Sequence, residues 1–345
     1  MENSIKEYNL WISQKELDED TRTELAAMRW DTDRIYDAFH KSLSFGTSGL
    51  RGIMGAGTNR INRYVVRKVT QGVASYIKKN YSDPSFVIAY DCRKNSDEFA
   101  KEAACVMAAN GIPVYIFDEM APVSLLSFAV KRLGASLGLM ITASHNSREY
   151  NGYKVYSSDG YQITDEASEA ILAECQQLDT FEDVSYMEFE DALKWSICTY
   201  IEDSICEEFI ESILALRLTD ISGSNIRVVY TPLYGAGFKY VKTVLEKAGL
   251  KNLYIVENQI EHNGDFPTCP YPNPEKPEVY EQAIRKAEET DADLIIVTDP
   301  DGDRIGIAVK DGSGYRILTG NEIGILMFNY ICRNRRHIKK GYVFK

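Results

Sequence analysis

The chain has 345 residues and a mass of 39.0 kDa, more than one hydrophobic core usually supports, so two or more domains are expected. Its hydrophobic share of 44% suffices for packed cores, while a formal charge of -12 and a pI near 5.0 set the overall field against nucleic acid and anionic membranes as partners. An anionic substrate would therefore need a local cluster of Arg and Lys. Seven cysteines, Cys92, Cys105, Cys175, Cys198, Cys206, Cys269 and Cys332, contain no Cys-x-x-Cys pair and are odd in number, so reduced, mostly structural thiols are expected. Met1 to Asp20 is acidic without an apolar signal core, and no stretch is long enough to span a bilayer, which makes the cytoplasm the expected compartment.

An N-terminal segment with helical character leads to a Gly-rich loop at Phe45 to Gly57 and a helix around Tyr64 to Lys79. A strand at Phe86 to Tyr90, a helix at Ser96 to Asn110 and a strand at Ile112 to Phe117 follow, then a helix at Pro122 to Leu133 and a buried strand at Leu137 to Ile141. After the acidic segment Phe181 to Asp191 the alternation resumes with a helix at Ile201 to Leu216, a strand at Arg227 to Tyr230, a helix at Gly237 to Ala248 and a strand at Leu253 to Val256. A Pro-rich loop from Gly264 to Pro277, a helix at Val279 to Thr290 and a strand at Leu294 to Val297 complete a second module. The expected fold class is α/β: two consecutive α/β domains with mixed sheets and helices on both faces, covering 1–200 and 201–310, plus the start of a third at 311–345.

The two modules echo each other. Each has a buried strand, a polar loop, an alternating strand and an Asp-Gly turn: Gly138 to Ile141, Thr142 to Gly152, Tyr153 to Tyr156 and Asp159-Gly160 in the first, and Leu294 to Val297, Thr298 to Arg304, Ile305 to Val309 and Asp311-Gly312 in the second. Loops at equivalent sheet edges suggest a site in the cleft between the modules.

The second loop reads Asp-Pro-Asp-Gly-Asp-Arg from Asp299 to Arg304. Pro300 and Gly302 bend the backbone so that Asp299, Asp301 and Asp303 could converge, and oxygen-only ligands suit Mg²⁺ better than Zn²⁺. The alternative is an acidic turn capping the next element; an EF-hand is excluded, because it wants Gly at Arg304 and Glu at Lys310. The first loop carries Thr142-Ala-Ser-His-Asn146, whose Ser144 would be an exposed hydroxyl beside His145. Near a divalent cation, that hydroxyl suggests phosphoryl transfer; the flanks are not those of a nucleophile elbow, and an ordinary polar turn is the other reading. Gly46-Thr-Ser-Gly-Leu-Arg-Gly52 could bring backbone N–H groups to an anion beside Arg51, or be a plain flexible turn. It matches neither a Walker loop nor a dinucleotide fingerprint. Lys154 is a candidate general acid or base if it is buried near Arg51, and otherwise a solvated strand lysine.

Phe45 to Gly52, Thr142 to Asn146 with Asn151-Gly-Tyr-Lys154, and Asp299 to Arg304, in this order, resemble the α-D-phosphohexomutase family. Gly55 to Gln71, Tyr230 to Gly237, Asp265 to Pro277 and Leu318 to Gly324 are similar to its bacterial phosphoglucomutase branch, and the resemblance spans about residues 40 to 345. It implies an isomerase that moves a phosphoryl group between C1 and C6 of a hexose phosphate, glucose 1-phosphate to glucose 6-phosphate, with phosphopentomutase, phosphomannomutase or a non-catalytic sugar-phosphate-binding fragment as alternatives. It further implies that Ser144 is carried as phosphoserine. Asp299, Asp301, Asp303 and a phosphate oxygen on Ser144 would bind one Mg²⁺, and glucose 1,6-bisphosphate would be the intermediate and activator. In the same reading Arg51 and Lys154 assist proton transfer and hold charge at the reacting hydroxyl, His145 positions the phosphoserine loop, Arg304 contacts the phosphoryl group or substrate, and Thr47 and Ser48 bind substrate.

Three departures matter. Ser147 stands where the family usually has Pro, loosening the backbone beside Ser144, and Tyr234 stands where it usually has His; tuning rather than loss is expected. Family members have four domains, whereas here a helix at Asn321 to Asn334 and a strand from Tyr342 look like the opening of the third. Without the third-domain sugar loop and the fourth-domain phosphate loop, little mutase turnover is expected. Ile323, Leu326, Met327 and Tyr330 would share an apolar face, packed on the second domain or on another copy of the chain, so self-association is a further expectation.

Overall fold

A computed structural model describes residues 1–46 and 49–335, and the chain divides between Glu202 and Asp203 into two compact units. The first opens with three short helices, α1 (Glu2–Ile12), α2 (Glu19–Ala27) and α3 (Thr32–Phe39), where the sequence suggested a single helical segment. Asp18 and Asp31 cause the breaks: each caps the following helix by accepting a backbone N–H, from Thr21 and from Arg34. Trp11 anchors this cluster. It is 1% exposed and meets the rings of Phe39, Tyr64 and Phe181 edge-on, with centroids 5.3 to 5.7 Å apart.

Next come β1 (Leu50–Ile53), α4 (Arg63–Asn80), β2 (Phe86–Tyr90), α5 (Ser96–Ala109), β3 (Val114–Ile116), α6 (Val123–Leu133), β4 (Leu137–Ile141), β5 (Tyr150–Ser157), α7 (Asp165–Gln176), α8 (Phe189–Lys194) and β6 (Cys198–Tyr200). The strands form one mixed sheet in the order β1-β5-β4-β2-β3-β6. From β4 to β6 neighbours run parallel, whereas β5 and β1 are antiparallel additions beyond β4. Phe86, Ile88, Leu137, Leu139 and Ile141 join the core built with α4 and α5, while α6 packs against β2 and β4 with Leu125, Leu126, Ala129 and Val130 buried. Covering of both faces explains why β2 and β4 read as continuous apolar runs.

The second unit repeats the plan with α9 (Asp203–Ala215), β7 (Arg227–Thr231), α10 (Phe238–Lys247), β8 (Asn252–Ile255), α11 (Glu281–Thr290), β9 (Leu294–Thr298), β10 (Ile305–Asp311), β11 (Gly314–Ile317) and α12 (Gly320–Asn334). Its sheet order is β11-β10-β9-β7-β8, parallel from β9 to β8 and antiparallel beyond β9. Ile295 and Val297 are fully buried but Leu294 and Ile296 only partly, so β9 is less enclosed than its apolar run suggested. The segment expected to open a helix at Val279 is first a 3-10 turn, Pro277–Tyr280, continued by α11. The sheet extends through β11 to Ile317. A capping box between Thr319 and Glu322 starts α12. Ile323 on that helix is buried and Tyr330 Oη lies 2.7 Å from Thr219 Oγ1, while Leu326 and Met327 are exposed in the single chain. The strand expected from Tyr342 lies outside the described residues.

Because Trp11 joins α1 to α3, α4 and the Phe181 segment, Trp11→Ala is expected to destabilise the first unit by about 3–5 kcal/mol. A urea titration with the same slope and a lower midpoint is the expected result.

Candidate functional site

In the first unit the chemistry gathers where β4 ends and the chain returns antiparallel as β5. Ser144 has φ 52°, a left-handed conformation that a non-glycine residue adopts only when its surroundings hold it there. Those surroundings are specific. Ser144 N–H donates to Thr142 Oγ1 at 2.7 Å, and the Thr142 hydroxyl donates to Asp91 Oδ2 at 2.6 Å. On its other side, the Ser144 carbonyl accepts from Arg93 Nη2 at 2.6 Å. Ser144 Oγ lies 3.2 Å from His145 Nδ1. Ser144 is 1% exposed, which corrects the expected exposed hydroxyl: it sits in a left-handed turn whose backbone is held by Thr142, Asp91 and Arg93.

Arg51 and Lys154 come from neighbouring strands. Arg51 on β1 pairs in register with Gly152 of β5, and its Nη1 donates to Asn146 Oδ1 at 3.3 Å, so it reaches the serine loop. Its Nε is buried with no hydrogen-bond partner among the described residues, a donor that an anionic oxygen would satisfy. Lys154, opposite Met140 of β4, is 1% exposed and not the solvated strand lysine of the alternative reading. Gly49 shows why the preceding loop is glycine-rich: it has φ 77°, and a Cβ there would come within 2.2 Å of the Tyr153 carbonyl and 2.8 Å of Lys154 Cα. The backbone of that loop thus lies directly on β5 beside Lys154. Thr47 and Ser48, expected to bind substrate, fall outside the described residues.

The second unit holds the acidic loop between β9 and β10. One carboxylate oxygen from each of Asp299, Asp301 and Asp303 falls within 4.8 Å of the others; Asp299 and Asp301 are fully buried and Asp303 faces solvent. Gly302, at φ 68°, turns the loop, and Asp299 Oδ1 accepts the Arg304 N–H at 2.9 Å. Burial first, and then the charges of Asp301 and Asp303, push the Asp299 carboxyl well above the usual carboxylate range. Converging hard oxygens whose ionised form is penalised fit a divalent cation such as Mg²⁺. An ordinary capping turn would not bury two of them.

The stretch from Tyr230 to Gly237 braces this loop. Ala236 N–H donates to the Pro300 carbonyl at 2.9 Å, and a Cβ on Gly235 would stand 2.6 Å from Pro300 Cα. Tyr234 is buried, with its hydroxyl 3.0 Å from Thr268 Oγ1 and its ring edge-on to Phe266. Arg304 lines a cavity of about 440 Å³ together with Glu275, Ile305, Thr319 and Ile323, and its Nη1 lies 3.6 Å from Glu275 Oε1.

Sequence reasoning missed Asp91, Arg93 and the bracing role of Gly235 and Ala236. The signal for the first two was present: an acid and a base follow directly on the buried run Phe86 to Tyr90, where a solvated turn is the usual expectation.

Residues 42–182 match the phosphoglucomutase/phosphomannomutase alpha/beta/alpha domain I and residues 207–312 the corresponding domain II. The chain belongs to the phosphoglucomutase/phosphomannomutase family. It is 37% identical over 294 residues to a phosphoglucomutase of Staphylococcus haemolyticus, covering 85% of this chain and 53% of that protein. A Staphylococcus saprophyticus phosphoglucomutase is also 37% identical, over 84% of this chain and 52% of its own length. The chain thus spans about half the length of these curated relatives. Among solved structures, a Thermus thermophilus protein assigned to the phosphomannomutases shares the fold, with a TM-score of 0.72 at 24% identity over 86% of this chain and 62% of its own. Among the described residues, no helix is long and apolar enough to cross a membrane.

The raised Asp299 carboxyl has a stability consequence whose sign is fixed. The folded chain holds that proton more tightly than the unfolded chain does, so the cost of ionising it is absent below the ordinary carboxylate pKa and grows as pH rises toward the folded value. In chelator, Asp299→Asn is expected to melt above the parent chain as pH is raised. Adding Mg²⁺ at about 100 times its Kd is expected to stabilise the parent by about 2.7 kcal/mol and the variant far less. Thermal melts with and without the cation check both.

Proposed function

We propose that this chain carries the phosphoserine and cation-binding parts of a phosphosugar mutase acting on a hexose phosphate, with glucose 1-phosphate and glucose 6-phosphate as the substrate pair. The observation that carries this reading is the Ser144 loop. A hydroxyl held in a left-handed turn beside an imidazole nitrogen, in a loop whose Asn146 is contacted by a guanidinium with a buried Nε lacking a partner among the described residues, is arranged to accept an anionic group. The name shared by the Staphylococcus relatives favours glucose over mannose or pentose.

In the proposed half-reaction, Ser144 Oγ attacks a phosphoryl group of glucose 1,6-bisphosphate. The Oγ–P bond forms as the P–O bond to the sugar breaks, the Oγ proton passes to His145 Nδ1, and Lys154 supplies a proton to the departing sugar oxygen. Arg51 holds charge on the transferring oxygens. A divalent cation held by Asp299, Asp301 and Asp303 would supply Lewis-acid neutralisation of the phosphoryl charge. Arg304 is the proposed contact to the remaining phosphate or sugar. The reverse step, onto the other hydroxyl of the sugar, would exchange the two positions.

Incubation with glucose 1,6-bisphosphate is expected to add the mass of one phosphoryl group to the purified chain, located on Ser144 by peptide mapping and absent from Ser144→Ala. Asp301→Asn is expected to slow that uptake by about 100-fold or more. Phosphate on an aspartate, or no uptake at all, would reject the reading.

A further inference from the structure

We propose that Arg93, locked to Asp91, is a positioning residue that sets the Ser144 loop for phosphoryl transfer. The inference rests on reading Ser144 as the phosphoryl carrier, but its observations are separate from that residue's chemistry. Four hydrogen bonds from one guanidinium reach four carbonyls between Ser144 and Tyr150. Nη2 donates to Ser144 and Asn146, both at 2.6 Å, and Nη1 donates to Ser147 at 2.9 Å and Tyr150 at 3.0 Å.

Asp91 holds the other side of the same turn. Its Oδ2 accepts the Thr142 hydroxyl, which in turn accepts the Ser144 N–H, and its Oδ1 accepts from Ser96 Oγ at 2.8 Å and from Arg93 N–H at 3.0 Å. Both faces of the Ser144 residue, its N–H and its C=O, are therefore fixed by one ion pair, with Arg93 Nε 3.4 Å from Asp91 Oδ2.

Both side chains of that pair are 0% exposed. Burying two charges is a poor source of net stability, because the desolvation of each offsets most of their attraction, so the return lies in geometry. The guanidinium is suited to it: a planar fork can address several carbonyls at once, which an ammonium point charge cannot. The fork also supplies what the loop sequence lacks. Ser147, in the place where proline would stiffen the chain, has its carbonyl held by Arg93 and again by the Tyr150 N–H at 3.1 Å. Arg93 also places its positive charge one peptide behind the serine that would carry a dianion.

The test uses Arg93→Lys in the full chain, with Thr142→Val as a second variant that removes the link between Asp91 and Ser144 N–H without removing a charge. Phosphoryl uptake from glucose 1,6-bisphosphate is followed by intact mass at several bisphosphate concentrations, together with amide hydrogen exchange. A misplacement of the order of 1 Å is expected to lower the limiting rate constant by about 100-fold, with the half-saturating bisphosphate concentration unchanged. Exchange is expected to quicken in residues 143–152 while the strands β2 and β4 stay protected. If Arg93→Lys does not fold, the same split is required of Thr142→Val. A folded variant with parental uptake rates, or one in which only the half-saturating concentration moves, overturns the proposal while leaving Ser144 as carrier. Absence of uptake in the parent chain itself overturns the functional reading and this inference with it.

Discussion

In each unit the sheet changes direction at one strand. β4 is parallel to β2 on one side and antiparallel to β5 on the other, and β9 stands in the same relation to β7 and β10. A chain leaving a parallel strand normally travels a long way, through a helix, before it pairs again. Here it must instead turn within a few residues and come straight back, so the loop is short, polar and pinned at both ends by ladder hydrogen bonds. Ser144 and the three aspartates occupy those two turns. Their placement follows from sheet topology before any side chain is considered, and it is reached twice by the same route.

The two turns differ in how charge is managed. The Ser144 turn is surrounded by cationic groups: Arg51 at its rim, Lys154 buried in the adjacent strand and Arg93 beneath it, with Asp91 as the internal counter-charge. The aspartate turn gathers like charges, and their mutual repulsion adds to desolvation at Asp299. One turn gathers positively charged side chains, the other carboxylates. That complementarity arises within a chain of net charge -12, whose overall field would repel the phosphate esters these relatives act on. Local arrangement outweighs the global balance because buried groups are screened little.

Much of this was legible in the residues. The apolar runs at Phe86 to Tyr90, Leu137 to Ile141 and Leu294 to Val297 marked the central strands, because burial on both faces leaves no room for polar alternation. The convergence of the three aspartates was readable from Pro300 and Gly302. The strands β1, β6 and β11 were not: Leu-Arg-Gly-Ile, Cys-Thr-Tyr and Gly-Tyr-Arg-Ile are short and lie at sheet edges, where pairing partners rather than pattern decide the conformation. The inward fold of Ser144 was equally invisible, since it depends on Asp91 and Arg93, about fifty residues earlier, and a charged pair in sequence reads as solvated surface. The apolar residues of helix α12 were obvious from the sequence, and of the four expected to share a face Ile323 is the one buried within the chain.

The left-handed backbone at Ser144 also narrows which residue could carry the proposed phosphoryl group. Threonine offers the same hydroxyl and elsewhere substitutes for serine at little cost, yet its branched Cβ is among the least tolerant of positive φ. Asparagine and glycine accept the backbone but bring no nucleophile. Of the side chains that keep a hydroxyl on Cβ, only serine satisfies both demands, so drift between two chemically equivalent alcohols is closed at this position by conformation rather than by reactivity.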